Sequence, residues 1–312
     1  MKIVFFGTPQ FSAEFLKAML ETGDIEVAAV VTQQDEPVGR KHVLTPPPVK
    51  VLAQEHGIPV WQPQSMKNPA FHATLRQYEA DAFVVIAFGR ILPQELIDIP
   101  KHGVINVHPS LLPKYRGPSP MHAALLAGDS ETGVCVMQID AQMDHGPVLS
   151  CERMAIDPLE TIESLTKKVV DVGAPQLISS LRAFIGGVLT PIEQDHTQAT
   201  FCKLLSREDG VITWTDSAEV IERKIRALNP WPSTSTLWTR RGEDVKLKIL
   251  NAKIGTAVLA PGYAQTIGNQ LYIGTGTTAI LVKEIQPAGS KPMDASAFIR
   301  GYADIHGALL HK

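Results

Sequence analysis

The chain has 312 residues, 44% of them hydrophobic and 20% charged, and a formal net charge of −3. That length can bury a substantial core and suggests two domains. No apolar run approaches the ~20 residues of a membrane span, and the opening Met1-Lys2-Ile3-Val4-Phe5-Phe6-Gly7 reads as a buried strand rather than a secretory signal, so a cytoplasmic location is expected.

The net charge conceals an asymmetry. Residues 1–205 carry 16 Lys+Arg against 22 Asp+Glu, or −6, while residues 206–312 carry 13 against 10, or +3. A polyanionic partner would favour the second part, although two differently solvated surfaces give the same split. Cys135, Cys151 and Cys202 are odd in number, widely spaced and without a Cys-x-x-Cys pair. They suggest neither a disulfide framework nor a zinc cluster, and all three are expected to be reduced.

Along the chain, short β-rich apolar runs alternate with segments of helical period, the pattern of parallel βαβ units. Ile3 to Phe6 is a buried strand, Phe11, Phe15, Leu16 and Met19 then repeat at helical spacing, and Glu26 to Val31 is a second strand. Thr32 to Lys50 contains Pro37, Gly39 and Pro46-Pro47-Pro48, which predicts an extended loop leaving the carboxyl end of that strand. Ala82 to Ala87 and Val104 to Val107 are further strands, and Thr161 to Ile185 is a long amphipathic helix ended by Gly186-Gly187. Leu189 to Thr200 is polar and irregular and reads as a linker. After it come a helix over Ser217 to Ala227 and alternating runs at Val245 to Leu250, Gln270 to Ile273 and Thr278 to Glu284, the signature of a small β-barrel. The expected division is a catalytic domain over 1–188, a linker over 189–205 and a second domain over 206–312.

Three places bear on chemistry. The Gly7-Thr8-Pro9 turn enters the first helix, where backbone N–H groups can meet an anion, but the Gly-x-Gly-x-x-Gly spacing of a dinucleotide site is absent. A nicotinamide-dependent oxidoreductase is therefore disfavoured. In Asn106-Val107-His108-Pro109-Ser110-Leu111-Leu112-Pro113-Lys114-Tyr115-Arg116-Gly117, a two-residue spacing puts Asn106 and His108 on one face of a strand, able to converge on one oxygen atom. The same pattern suits a polar strand end capped by the turn. In Asp140-Ala141-Gln142-Met143-Asp144-His145-Gly146-Pro147, two carboxylates four apart can be aimed for proton transfer. Oxygen ligands are too few for a calcium loop, and His108, His122, Asp144 and His145 lack zinc-ligand spacing.

The run from Asn106 to Gly117, followed by Met143-Asp144-His145-Gly146-Pro147, resembles the signature of the folate-dependent formyltransferases. Matching segments span essentially the whole chain: Phe5 to Phe11, Thr45 to Gln54, Ala87 to Pro93, Arg226 to Pro232 and Gln286 to Met293. They are similar to the branch of that family whose acceptor is methionyl-tRNA. His145 departs from the small or acidic residue more familiar there.

The resemblance implies a Rossmann-like α/β formyltransferase domain followed by a small barrel of the oligonucleotide-binding (OB) type. It implies transfer of the formyl group of 10-formyltetrahydrofolate to the amino group of initiator methionyl-tRNA, without a metal; the oligomeric state is not given by the sequence, and a monomer is expected. Asn106, His108 and Asp144 would be catalytic. Phe88, Gly89, Arg90, Ile91, Leu92, Ser110, Leu111, Leu112, Pro113, Gln138 and Asp140 would hold the folate, with Phe88 and Leu92 equally readable as core. The loop from Gln33 to Lys50 would meet tRNA through Arg40 and Lys41. In the second domain Lys246 and Lys248 lead the phosphate candidates, with Arg207, Arg223, Lys224, Arg240 and Arg241 behind them. Trp238 invites base stacking, whereas the prolines flanking Trp231 point to a packed junction. An aminosugar-nucleotide acceptor, or water in its place, would use the same three catalytic residues.

Overall fold

The computed structural model describes residues 1–39 and 42–312. The chain divides into two compact units: residues 1–120, 131–155 and 166–202 form the first, and residues 121–130, 156–165 and 203–312 the second. Among the described residues, no helix is long and apolar enough to cross a membrane.

In chain order the first part contains β1 (Lys2–Gly7), α1 (Gln10–Leu20), β2 (Glu26–Val31), β3 (Glu36–Val38), β4 (Val43–Thr45), α2 (Pro48–Glu55), β5 (Val60–Trp61), α3 (Pro69–Arg76), β6 (Ala82–Ile86), α4 (Gln94–Ile97), β7 (Val104–His108), α5 (Pro120–Ala127), β8 (Glu131–Gln138), β9 (Val148–Ala155) and α6 (Ile162–Ile185). Seven strands form one sheet in the order β5-β2-β1-β6-β7-β8-β9. The first five are parallel, and β8 and β9 add antiparallel at the far edge. The expected parallel α/β sheet is present, extended by two strands that the alternation of apolar runs did not reveal.

Strand order reverses between β1 and β6, since the chain runs outward from β1 to β2 and β5 and then returns to β6 and β7. Ligands of open α/β sheets gather outside the carboxyl ends of the strands at such a reversal. There the Gly7-Thr8-Pro9 turn meets the turn after β6: the Thr8 hydroxyl donates to the Phe88 carbonyl (3.2 Å) and the Ser12 hydroxyl to the Ile86 carbonyl (2.5 Å). Gly7 is required by packing, because a Cβ there would lie 2.7 Å from both the Phe5 ring and the Ser12 Cβ. Below this end, Phe6, Phe83 and Phe88 pack in one apolar cluster with Phe71, Leu75, Leu92 and Leu96, the Phe6 and Phe88 rings meeting edge to face at 5.5 Å.

The stretch expected as an extended loop from Thr32 to Lys50 contains the small antiparallel hairpin of β3 and β4 and the start of α2. Pro48 opens that helix at its first position, where a missing N–H costs nothing. At the hairpin's base, Lys50 Nζ lies 2.8 Å from both Asp35 oxygens and 2.9 Å from Gln62 Oε1, holding the two ends of the excursion together.

The second unit contains α7 (Ala218–Leu228), β10 (Ser235–Arg240), β11 (Glu243–Ile254), β12 (Ala264–Ile267), β13 (Gln270–Gly274), β14 (Ala279–Pro287), β15 (Met293–Asp294), α8 (Ala295–Gly301) and β16 (Leu310–His311). Ser217 caps α7, its hydroxyl accepting from the Val220 N–H. The sheet runs β12-β13-β14-β11-β10-β16, with β15 on β14. It is antiparallel throughout and curls, and a bridge between Tyr263 and Leu309 links the approach to β12 with the approach to β16. This is the small barrel expected after the α/β domain. Its interior holds Ile221, Ile225, Trp238, Leu247, Ile249, Ile273, Ile280 and Phe298.

Two expectations fail here. Cys135 and Cys151 are joined in a disulfide and Cys202 alone is free. The pair sit directly opposite one another on β8 and β9, with Cα atoms 4.1 Å apart, a proximity that spacing along the chain cannot show. The two tryptophans also exchange places: Trp238 is 2% exposed in the barrel core, unable to stack on a base, while Trp231 is 53% exposed rather than buried.

Thiol titration of the oxidised protein in denaturant is expected to give one reactive group, rising to three after reduction; three without reductant would exclude the Cys135–Cys151 bond. Phe298→Ala removes a buried ring against Trp238 and Tyr302 and is expected to destabilise the second unit by about 3–5 kcal/mol in denaturant unfolding.

Candidate active site

β7 delivers the first two residues. All five of its residues are buried, Asn106 pairs across to Met137 and His108 to Cys135 on β8, and the two-residue repeat sends both polar side chains to one face. No hydrogen bond joins the Asn106 carboxamide to another described residue.

His108 is held through one ring nitrogen and faces a carboxylate with the other. Nε2 lies 2.9 Å from the Tyr115 carbonyl oxygen. A carbonyl only accepts, so that nitrogen carries a proton. Nδ1 faces Asp144 Oδ2 at 3.5 Å, too long for a tight hydrogen bond. The Tyr115 carbonyl reaches His108 because residue 115 adopts the left-handed region, with φ of 59°, a conformation that bulky residues occupy only under constraint.

Asp144 arrives from the turn between β8 and β9. It too has positive φ, 49°, and its Oδ2 accepts a 2.7 Å hydrogen bond from the Gly117 N–H. Two glycines make this approach feasible. A side chain at Gly117 (φ 119°) would strike the Cys202 carbonyl, and one at Gly146 would strike the Gln138 carbonyl.

The segment 194–202 closes the site from a third direction, and nothing in its composition announced this. Its backbone pairs with the loop after β7: Thr200 N–H with the Pro113 carbonyl, Arg116 N–H with the Thr200 carbonyl and Cys202 N–H with the Arg116 carbonyl, at 3.2, 2.8 and 2.8 Å. Gln194 Nε2 donates to the Asp144 and Gly146 carbonyls at 3.0 and 2.7 Å. Its Oε1 accepts from Arg116 Nε and Nη2 at 3.2 and 2.7 Å. Arg116 Nη2 also meets His196 Nδ1 at 2.8 Å, and the His196 ring stacks on His145 with centroids 3.9 Å apart. His145, the residue that departs from the familiar pattern, pairs through Nδ1 with Asp140 Oδ2 at 2.6 Å. Burial pushes the Cys202 thiol up.

The residues expected to hold folate divide by environment. Phe88 (2% exposed) and Leu92 belong to the apolar core. Gly89 has φ of 79° and presents bare backbone beside the Gln33 amide. Arg90 is turned away to the Pro63 and Gln64 carbonyls at 2.9 and 3.2 Å, while Ile91 is 82% exposed. Ser110 is buried and donates to the Lys114 carbonyl, Leu111 lies over Gly133, and Leu112 and Pro113 are half-buried. Gln138 N–H donates to the Pro147 carbonyl. Asp140 is engaged by His145 and by the Gln142 N–H.

Of the expected tRNA contacts, Arg40 and Lys41 lie outside the described residues. Lys246 is exposed and Lys248 half-buried on β11, alternating with the buried Leu247 and Ile249, so both point away from the barrel core. Arg240 is committed to Asp304 (2.7 and 3.0 Å) and Lys224 to the Val211 carbonyl (2.6 Å).

Residues 1–181 match the family model described as Formyl transferase, and residues 204–303 match the one described as Formyl transferase, C-terminal domain. A protein of Halalkalibacterium halodurans named methionyl-tRNA formyltransferase is 44% identical over 303 residues, covering 96% of this chain and 95% of its own length. Its namesake in Chloroflexus aggregans is 41% identical over 305 residues, covering 96% and 97%. Among solved structures, HypX from Aquifex aeolicus in complex with tetrahydrofolic acid superposes with a TM-score of 0.67 at 18% identity over 98% of this chain, which spans 47% of HypX, about half its length. WlaRD, a sugar 3N-formyl transferase, gives 0.65 at 16% identity, covering 93% of this chain and 99% of its own. These two share the fold. With the first family model covering more than half of its length and relatives above 40% identity along nearly all of it, the chain belongs to the formyl transferase family.

Proposed function

We propose that this chain transfers the formyl group of 10-formyltetrahydrofolate to the α-amino group of initiator methionyl-tRNA in the cytoplasm, with Asn106, His108 and Asp144 as its catalytic residues. The observation that carries the reading is the meeting of His108 and Asp144 (3.5 Å) on the face of β7 that also presents Asn106, at the carboxyl end of a parallel sheet. Full-length relatives named for this activity support the acceptor.

The residues present suit such a donor. The uncommitted Asn106 carboxamide can donate to a formyl oxygen, and the bare turn at Gly89 offers main-chain groups to a flat polar ring. Ser110 to Pro113 and Gln138 to Asp140 supply the remaining contacts. When bound, the folate provides an electrophilic formyl carbon and a nitrogen able to leave. Asn106 holds the formyl oxygen as it gains negative charge. His108, anchored through Nε2 to the Tyr115 carbonyl, places its imidazole beside it and polarises it. Such donors matter because they are aimed before reaction begins. Asp144 orients the His108 ring and, directly or through a water, accepts the proton of the attacking amine and returns one to the leaving nitrogen. One proton is taken and one given back, so the enzyme ends as it began.

Residues 206–312 are assigned to tRNA. Lys246 and Lys248, on the solvent side of β11, would pair with phosphates, together with Arg40 and Lys41.

Asn106→Ala and Asp144→Ala are each expected to lower formyl transfer by roughly 10²-fold or more. The assay supplies 10-formyltetrahydrofolate with methionyl-tRNA, with an aminosugar nucleotide, or with no acceptor. Transfer to the sugar alone, or formate release without transfer, would overturn the acceptor. For the second unit, Lys246→Ala and Lys248→Ala are each expected to reduce the slope of log affinity for tRNA against log salt by about 1; unchanged slopes would remove these lysines from the interface.

A further inference from the structure

Asp144 sits in the left-handed region of the backbone, with φ of 49°. Its carboxylate is steered by the Gly117 N–H, yet that bond can form only if the main chain of the turn is already in place. Two carbonyls define the turn, those of residues 144 and 146, and both accept from the same amide nitrogen of Gln194. The Gln194 side chain is nearly sealed from solvent, the residue being 8% exposed.

The orientation of that amide is not arbitrary. A guanidinium only donates, so the group facing Arg116 Nε and Nη2 must be the Gln194 oxygen, and the NH₂ is thereby directed at the two carbonyls. Arg116 is buried, and it precedes Gly117, the residue whose N–H binds the Asp144 carboxylate. One side chain therefore couples the turn carrying Asp144 to the loop that carries both its N–H partner and the Tyr115 carbonyl gripping His108.

We infer that Gln194 is a positioning residue for formyl transfer, setting the Asp144 carboxylate against His108 by holding the carbonyls of residues 144 and 146, with Arg116 fixing which way its amide points. The inference rests on the catalytic reading of Asp144. It gives the segment 194–202 a function in the chemistry, beyond connecting two parts of the chain.

Gln194→Glu separates this role from simple scaffolding. The carboxylate keeps, and strengthens, the acceptor for Arg116, so that side of the contact is retained. It also replaces a donor with an acceptor facing two carbonyl oxygens, so the Asp144 turn should shift. Misplacement of a catalytic group by about 1 Å can cost on the order of 10²-fold. The expected result is a fall in kcat of roughly 10- to 100-fold, with KM for 10-formyltetrahydrofolate and for methionyl-tRNA nearly unchanged. Because the effect passes through the carboxylate, the same substitution in an Asp144→Asn background should cost far less, a coupling read from the double-mutant cycle. Gln194→Met, of similar length and without the amide, gives a second reading should the glutamate variant fold poorly, and Gln194→His, which can still donate, should recover part of the rate.

An unchanged kcat in both Gln194→Glu and Gln194→Met would overturn the inference, as would equal losses with and without the Asp144 carboxylate, or a rise in KM alone. A wild-type protein that transfers no formyl group to methionyl-tRNA would instead overturn the reading of the site, and this inference with it. Transfer that persists while Gln194 proves neutral removes the positioning role only.

Discussion

The site depends on a carboxylate reaching a histidine from another loop, and that reach depends on a backbone turned the unfavourable way. Asp144 and Tyr115 both have positive φ; the first aims its carboxylate and the second aims its carbonyl, and His108 lies between them. Each conformation persists because its surroundings over-determine it. Glycines at 117 and 146 allow main chain to press against main chain where a Cβ would collide with a carbonyl oxygen, and backbone pairing from residues 200–202 holds the loop after β7 in register.

The parallel sheet supplies the rigid base on which this arrangement rests. β7 is hydrogen-bonded on both sides, to β6 and β8, so Asn106 and His108 are carried by a central strand rather than a mobile loop. Precision follows from that placement, because a side chain can be no better fixed than the element that bears it. At the same end of the sheet, the reversal of strand order between β1 and β6 leaves the turns at Gly7-Thr8-Pro9 and Ala87-Phe88-Gly89 facing one another, which is the natural seat for a flat ligand in an open α/β sheet.

The charged residues of the second unit show how much packing decides. Arg240 lies over the Trp238 and Tyr302 rings at 5.2 and 4.8 Å and is clamped by Asp304, so a residue that looks available for phosphate is structural. Lys246 and Lys248, two positions apart on β11, remain on the outer face. A barrel strand alternates inward and outward, and only the register says which basic residues face water.

Much of this was legible along the chain. Parallel β/α alternation, the long helix ending at Gly186-Gly187, the helix expected over Ser217 to Ala227 and the alternating strands beyond it follow from apolar period and turn residues, which are local properties. The i, i+2 spacing of Asn106 and His108 likewise required only a strand. What the residue order did not contain was who meets whom across the fold: Cys135 with Cys151, His145 with Asp140 and His196, Trp238 in the core, the Tyr115 carbonyl on His108, and Gln194 beneath the Asp144 turn. Those contacts join residues far apart along the chain or depend on backbone twists of positive φ, and neither periodicity nor composition carries that information. Local chemistry chose the elements and the candidate groups; three-dimensional packing chose their partners.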